Sequence, residues 1–361
     1  MIDICVKAGN NACEIIKDGG FSLDRVSAYC GPAVGPRWLI GSGFDLALIR
    51  ETALGRQRPV LLVGASAGAW RFAAWLQPEP EKSYRTLMEA YASAVYTRSE
   101  TPATILEKLS RIIDAYLEDD AMPFVFDNKK YRLAVITARG RNLVASEIAW
   151  IQKAGLGLCF LLNAARRDFV FSFAERVVFY TGAKPPSFCL RKDFQGRSIA
   201  LNEVNFKTAV LASGAIPLVV AGIRNIYGAP YGVYRDGGLI DYHLTTDYGS
   251  GRGDVVLFFH HQERIIPGWL DKKLKYRTPE PDVLKDVLMV HPSEEFIARL
   301  PHGKAPDRDD FARFINDPAM RIGDWQKAAA LSAHLGEQFL ELVASGGLKD
   351  VVKPLKAKND G

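Results

Sequence analysis

The sequence predicts an α/β fold with a mostly parallel sheet covered by helices. Runs of β-type residues recur at 26–29, 60–63, 131–137, 169–173, 177–180 and 255–259, with amphipathic helical stretches between most of them. That alternation builds parallel strands joined by crossover helices. Residues Val60, Leu61, Leu62 and Val63 are apolar at every position, as a strand buried on both faces requires. A chain of 361 residues with 48% hydrophobic composition can also bury a large core.

In chain order, the strand at 60–63 runs into Gly64-Ala65-Ser66-Ala67-Gly68. An apolar helix follows through Trp70, Phe72 and Trp75, and Gln77-Pro78 stops it. Tyr84, Leu87, Met88, Tyr91 and Val95 mark a second amphipathic helix. Thr101-Pro102 caps a third, which carries Ile105, Leu109, Ile112, Ile113 and Tyr116 on one face. The apolar stretch 154–162 is too short to span a bilayer and reads as a buried or interfacial segment. From about residue 281 only helices are expected. Ser293 caps one of them, and a longer one carries Ile322, Trp325, Ala329, Ser332, Leu335, Phe339 and Leu342 up to Gly346-Gly347. The organisation expected is an α/β domain over 22–262, a helical extension over 281–347 packed on it, and a mobile basic tail over 348–361 with lysines at 349, 353, 356 and 358.

Lys+Arg 46 against Asp+Glu 41 leaves a charge of +5, too mild to indicate a nucleic-acid partner and compatible with peripheral contact with an acidic lipid surface. Five scattered cysteines with no C-x-x-C pair argue for a reducing compartment, against a disulfide framework and against a structural zinc site. The first residues show no basic segment followed by a long apolar one, so the expected location is the cytoplasm. No repeat is evident, and the oligomeric state is left open.

A G-x-S-x-G pentapeptide between a strand and a helix is a candidate nucleophile turn. The small residues allow a sharp bend at Gly64 and Gly68, and the helix start offers the N–H of Ala67 to a developing oxyanion. The plainer alternative is a glycine-rich turn in which Ser66 merely caps the helix. A serine nucleophile needs a proton acceptor. His260 and His261, after the strand ending at Phe259, fit the chain order of an α/β-hydrolase, but their polar surroundings are undistinctive. Asp236 is a second candidate: a strand-like stretch delivers it to Gly237-Gly238, where absent side chains allow close approach to another loop. An Asp-Gly hairpin or Asx turn is the structural alternative there.

The combination of Gly64-Ala65-Ser66-Ala67-Gly68, Ala212-Ser213-Gly214-Ala215-Ile216-Pro217 and Asp236-Gly237-Gly238, in this order, resembles the patatin-like phospholipases over roughly residues 25–260. The resemblance implies a three-layer α/β/α sandwich with a C-terminal helical extension. It also implies a Ser66–Asp236 dyad that cleaves lipid carboxylic esters through an acyl-enzyme, as a phospholipase A, lysophospholipase or esterase, with no cofactor and no metal. The Ala212–Pro217 stretch would be structural. The family's glycine-rich anion loop departs here to Gly31-Pro32-Ala33-Val34-Gly35-Pro36-Arg37. Gly31, Gly35 and Ala67 are the expected oxyanion donors and Arg37 the expected loop charge, while Pro32 and Pro36 have no N–H to give. The other readings are a catalytically weak protein of the same fold that binds lipid or a protein partner, and an α/β-hydrolase with His260 or His261 as base.

Overall fold

The computed structural model describes residues 2–249, 251 and 253–355. The elements in its first half are β1 (Ile4–Ala8), α1 (Asn10–Lys17), β2 (Val26–Gly31), α2 (Ser42–Arg50), β3 (Val60–Ala65), α3 (Ala67–Trp75), α4 (Pro80–Ser93), α5 (Pro102–Tyr116), α6 (Met122–Asp127) and β4 (Tyr131–Gly140). They are followed by α7 (Ala149–Ala165), α8 (Val170–Phe173), β5 (Ala174–Tyr180), β6 (Arg197–Ala200), α9 (Phe206–Ser213), β7 (Ile223–Arg224), β8 (Val233–Asp236) and β9 (Val255–Phe259). The last are β10 (Val287–Pro292), α10 (Glu294–Arg299), α11 (Asp309–Arg313), α12 (Pro318–Ala344), α13 (Leu348–Val351) and β11 (Lys353–Pro354).

One sheet takes the order β11-β1-β10-β9-β2-β3-β4-β5-β6, with β8 beside β4 and β7 beside β8. Neighbours from β10 through β9, β2 and β3 to β4 are all parallel, and antiparallel pairs appear only outside that block. The fold is thus the mixed α/β class with a mostly parallel central sheet. The strands are covered on both faces. Tyr29, Val60 and Leu62 pack under α2, α3, α4 and α12, whereas Ala28, Cys30, Val63 and Ala65 face a second core. That second core is closed by residues from 242 to 284, and beside it α7 and α8 pack on Ala138 and Ala174. Thr101 and Ser293 cap α5 and α10 as their positions predict.

Three expectations change. Residues 169–173 form a short helical turn and α8 rather than a strand; Arg141 and Asn142 take up the carbonyls of Phe171 and Ser172 at 3.0 and 2.9 Å. A brief apolar run has no period by which strand and helix can be told apart. The region from 281 is not helical throughout, because β10 lies within it and pairs with both β9 and β1. The stretch from 348 is not a free tail where it is described: it forms α13 and then β11, which joins β1. Lys356 and Lys358 lie outside the described residues.

The long helix α12 clamps α2 through two glycines. A Cβ on Gly43 would lie 1.8 Å from the carbonyl oxygen of Ser332, and one on Gly336 would lie 2.2 Å from the carbonyl oxygen of Gly43. The Gly43 N–H donates to Ser332 Oγ at 3.1 Å across the same contact. Phe44 of α2 then stacks on Phe259 at 4.1 Å, and Phe339 of α12 meets the same ring at 5.0 Å. Gly43→Ala is therefore expected to lower the unfolding free energy by about 1–3 kcal/mol in a urea titration, because neither backbone can retreat without opening the aromatic core. Gly323→Ala, on the part of α12 where a Cβ meets open space, is expected to raise it by about 0.5–1 kcal/mol. Equal responses at the two sites would contradict the clamp.

Candidate active site

β3 ends at Ala65 and α3 begins at Ala67, leaving Ser66 at φ 54 and ψ −125. That conformation is costly for a residue with a Cβ and persists only when the surroundings over-determine it. They do so here. A Cβ on Gly64 would stand 2.4 Å from the Ala69 nitrogen, and one on Gly68 would stand 1.7 Å from the carbonyl oxygen of Gly31. The Ser66 N–H donates to Ser213 Oγ at 2.8 Å, and the Ser213 hydroxyl donates onward to the Ile136 carbonyl at 2.7 Å. The Ala-Ser-Gly-Ala-Ile-Pro stretch thus supplies a brace for the turn from the end of α9.

The sheet brings Asp236 to this turn. β4 is ten residues long and pairs along its other edge with β5. Its near edge is shared: β3 pairs as far as Ala65 opposite Ile136, and β8 takes over with Asp236 opposite Thr137. β3 runs parallel to β4 and β8 antiparallel to it, so the C-terminal ends of β3 and β8 meet head to head. Ser66 Oγ donates to Asp236 Oδ2 at 2.7 Å, and the Gly238 N–H donates to Oδ1 at 2.7 Å. Gly237 lies so close to the Ile136 carbonyl that a Cβ would come within 2.1 Å of it. Both members of the pair are only 5% exposed. Burial pushes the Asp236 carboxyl above its ordinary value, while the Arg308 charge, the Ser66 hydroxyl, the Gly238 N–H and the Lys272 charge pull the other way. A carboxylate so placed can accept the serine proton directly.

The expected anion-site residues separate. Gly35 and Ala67 line one cavity of about 50 Å³ with Ser66, Trp70, Tyr91 and Arg308. Each begins a helical turn, where N–H groups have no intrahelical acceptor. Gly31 does not join them. It is the last residue of β2, pressed between Phe72 and Gly68, and its role is to let α3 approach the sheet. The Ala33 N–H is committed to the Tyr242 carbonyl at 2.8 Å and that of Val34 to the Pro32 carbonyl at 3.0 Å, so neither is available to the cavity that Gly35 lines. Arg37 is likewise outside the cavity, facing Asp307 at 3.7 Å. The charge at the site comes instead from Arg308, which lines both the Ser66 cavity and the adjoining cleft with Asp236, Tyr242 and Trp269. Arg308 makes no ion pair among the described residues. Lys272 stands over the Tyr242 ring at 4.4 Å, and burial together with the Arg308 and Arg37 charges lowers its pKa to about 8. No sequence pattern around Asp307-Arg308-Asp309-Asp310 marks Arg308; only the packing of the C-terminal segment places it.

His260 and His261 do not accompany Ser66. They cluster with His243 beneath the second core face, with ring centroids of His243 and His260 4.2 Å apart. The Ile266 N–H donates to His243 Nδ1 at 2.8 Å, and His260 Nδ1 faces the Gln262 carbonyl at 2.5 Å. These bonds assign Nε2–H to His243, which donates to His260 Nε2 at 3.3 Å, so the pair is neutral. Among the described residues no group of three or more His, Cys, Asp or Glu is placed to hold a metal ion. Two larger clefts, between α2, α4 and α12 and beside α1, contain neither Ser66 nor Asp236.

No family model matches the chain and no curated protein matches its sequence. Among solved structures, it is similar to human GIVD cytosolic phospholipase A2, with a TM-score of 0.41 and 11% identity over 94% of this chain. The chain spans 63% of the length of that neighbour.

Burial holds all three clustered histidines below the ordinary value, with His260 at about 3. At these histidines the unfolded chain then binds more protons than the folded one in the window from around the ordinary value of about 6.5 down to the lowered folded values. This contribution to stability is complete above that pH and is lost as pH falls toward the folded values. Unfolding free energy measured from about pH 7 down to about pH 5 is expected to decline, with a shallower slope for His260→Gln; identical slopes would refute the neutral cluster.

Proposed function

We propose that this chain is a serine acyl hydrolase acting on lipid carboxylic esters, in the manner of the patatin-like phospholipases its motifs resemble. The observation that carries the reading is the direct 2.7 Å hydrogen bond from Ser66, held in a strained turn between strand and helix, to the buried carboxylate of Asp236. Ser66 Oγ attacks the ester carbonyl carbon as its proton passes to Asp236 Oδ2. The tetrahedral oxyanion accepts hydrogen bonds from the Gly35 and Ala67 N–H groups. Collapse breaks the bond to the alkoxy oxygen, which takes the proton from Asp236 and leaves as the alcohol. Asp236 then deprotonates a water that attacks the acyl-enzyme, and Ser66 recovers its proton as the fatty acid departs.

The Arg308 guanidinium completes this site. Pro32 and Pro36 have no N–H and the Ala33 and Val34 amides are committed, so of this loop Gly35 is the residue that faces the Ser66 cavity, and Arg308 lies beside it: a Cβ on Gly35 would be 3.2 Å from Arg308 Nε. In a water-poor cavity a fixed cation next to the developing negative charge replaces what the loop has lost.

Ser66→Ala and Asp236→Asn are each expected to abolish hydrolysis of p-nitrophenyl esters and phospholipids while leaving the fold intact by circular dichroism. Labelling by a fluorophosphonate should vanish in the first variant. Because Asp236 must be ionised and its pKa is raised by burial, wild-type kcat is expected to fall on the acid side as pH drops through that raised value. Activity in Ser66→Ala would remove the basis of the mechanism.

Arg308→Ala is expected to reduce kcat by about a hundredfold with little change in KM, the pattern of a group that acts on the transition state. Arg308→Lys should recover part of the loss. A gain in activity on removing the side chain would instead mark Arg308 as an obstruction at the mouth of the site.

A further inference from the structure

Helix α7 is apolar on two opposite faces, and only one of them is covered. Gln152, Gly155, Leu156, Cys159 and Asn163 are buried. On the other side Trp150, Leu158 and Leu161 are 72%, 44% and 66% exposed, and a Cβ on Gly157 between them would meet nothing within 4 Å. Lys153 is the only charged residue of the helix. A helix apolar all round belongs in a core or against lipid. No helix among the described residues is long and apolar enough to cross a membrane.

The borders of this face are cationic and aromatic. The segment 272–277 packs along the C-terminal turn of α7, where the Tyr276 hydroxyl donates to the Ala164 carbonyl at 2.8 Å and Arg277 donates to the Asn163 carbonyl at 2.7 Å. It presents Lys273, Lys275 and Tyr276 to solvent. Among the described residues Lys153, Lys273 and Lys275 have no carboxylate partner, while Arg166 is paired with Asp168 at 2.9 Å. An apolar stripe flanked by unpaired lysines, with Trp and Tyr at its ends, has the composition that seats a helix in the plane of an anionic bilayer surface. In a two-fold contact between copies the same lysines would face one another.

The face is also fastened to the dyad. Buried Asp271 accepts hydrogen bonds from Asn163 Nδ2 at 2.7 Å and from Arg167 at 2.5 Å. Its neighbours Trp269 and Lys272 turn the other way, toward the cleft of Asp236 and onto the Tyr242 ring.

We propose that α7 and the 272–277 segment form a docking face for an anionic lipid surface, with Trp150, Leu158 and Leu161 in the acyl boundary and Lys153, Lys273 and Lys275 against the headgroups. The proposal gives the lipid-ester reading its point of contact with a bilayer, but partition itself requires no catalysis. The test is co-sedimentation of the full chain carrying Ser66→Ala with vesicles of equimolar phosphatidylcholine and phosphatidylserine. The protein is expected to pellet with these vesicles and to be released by salt. Trp150→Ala with Leu161→Glu should weaken partition by about tenfold or more. Lys153→Glu with Lys273→Glu and Lys275→Glu should remove the preference over pure phosphatidylcholine. In the wild-type background both sets should retain hydrolysis of p-nitrophenyl butyrate, a soluble ester. A chain that stays in the supernatant, a partition indifferent to the apolar pair, or a dimer in sedimentation equilibrium that Leu161→Glu dissolves would each overturn the docking face. Vesicle binding without hydrolysis of any ester would sink the proposed activity alone, and hydrolysis of the soluble ester without vesicle binding would sink the docking face alone.

Discussion

Two strands share one edge of β4, and the candidate site follows from that sharing. β3 occupies the edge up to Ile136 and β8 occupies it from Thr137, each ending where the other ends. A hydroxyl and a carboxylate carried on the two ends are then fixed by the hydrogen-bond register of the sheet rather than by loop conformation. The Ile136 carbonyl sits at the junction. It accepts the Ser213 hydroxyl that braces the Ser66 amide, and Gly237 passes against it. The group delivered to the Ser66 hydroxyl from the same edge is a carboxylate, whereas His243, His260 and His261 form a neutral cluster elsewhere.

Burial sets the chemistry of the pair. In water a carboxylate is a feeble acceptor for an alcohol proton, whereas desolvation raises its affinity. The nearby cations Arg308 and Lys272 keep the ionised form accessible in spite of that burial. The site is therefore a balance between two opposing influences, and the Gly238 N–H on Oδ1 orients the carboxylate so that Oδ2 is turned to the serine.

The parts of this molecule that were legible in the sequence are those that local pattern controls. The continuous apolar strand 60–63, the glycine-flanked turn at Ser66, the Thr101 and Ser293 caps and the Asp-Gly-Gly turn each carry a signal within a few residues. What escaped is set at long range. β10 reads as part of a helical region because its apolar run is short, and only pairing with β9 and β1 makes it a strand. Gly31 and Arg37 sit in the right loop, but the direction in which that loop faces depends on the approach of Gly68 and on Asp307. Arg308 lies seventy-odd residues after Asp236 in a segment without a motif, and it reaches the site because α12 is clamped to α2 beyond it.

The edge of the sheet joins the two ends of the described chain. β1 pairs with β10 on one side and β11 on the other, and with no earlier strand. During synthesis from the N-terminus, residues 4–8 have no sheet partner until those of β10, 287–292, have left the ribosome. The β2–β3–β4 block that carries Ser66 can assemble well before that, with its remaining edge open. Until β9 and then β10 emerge, the nascent chain thus exposes an apolar strand and an unpaired sheet edge together, a pairing hazard that chaperones exist to shield and that ends as these two strands close the edge.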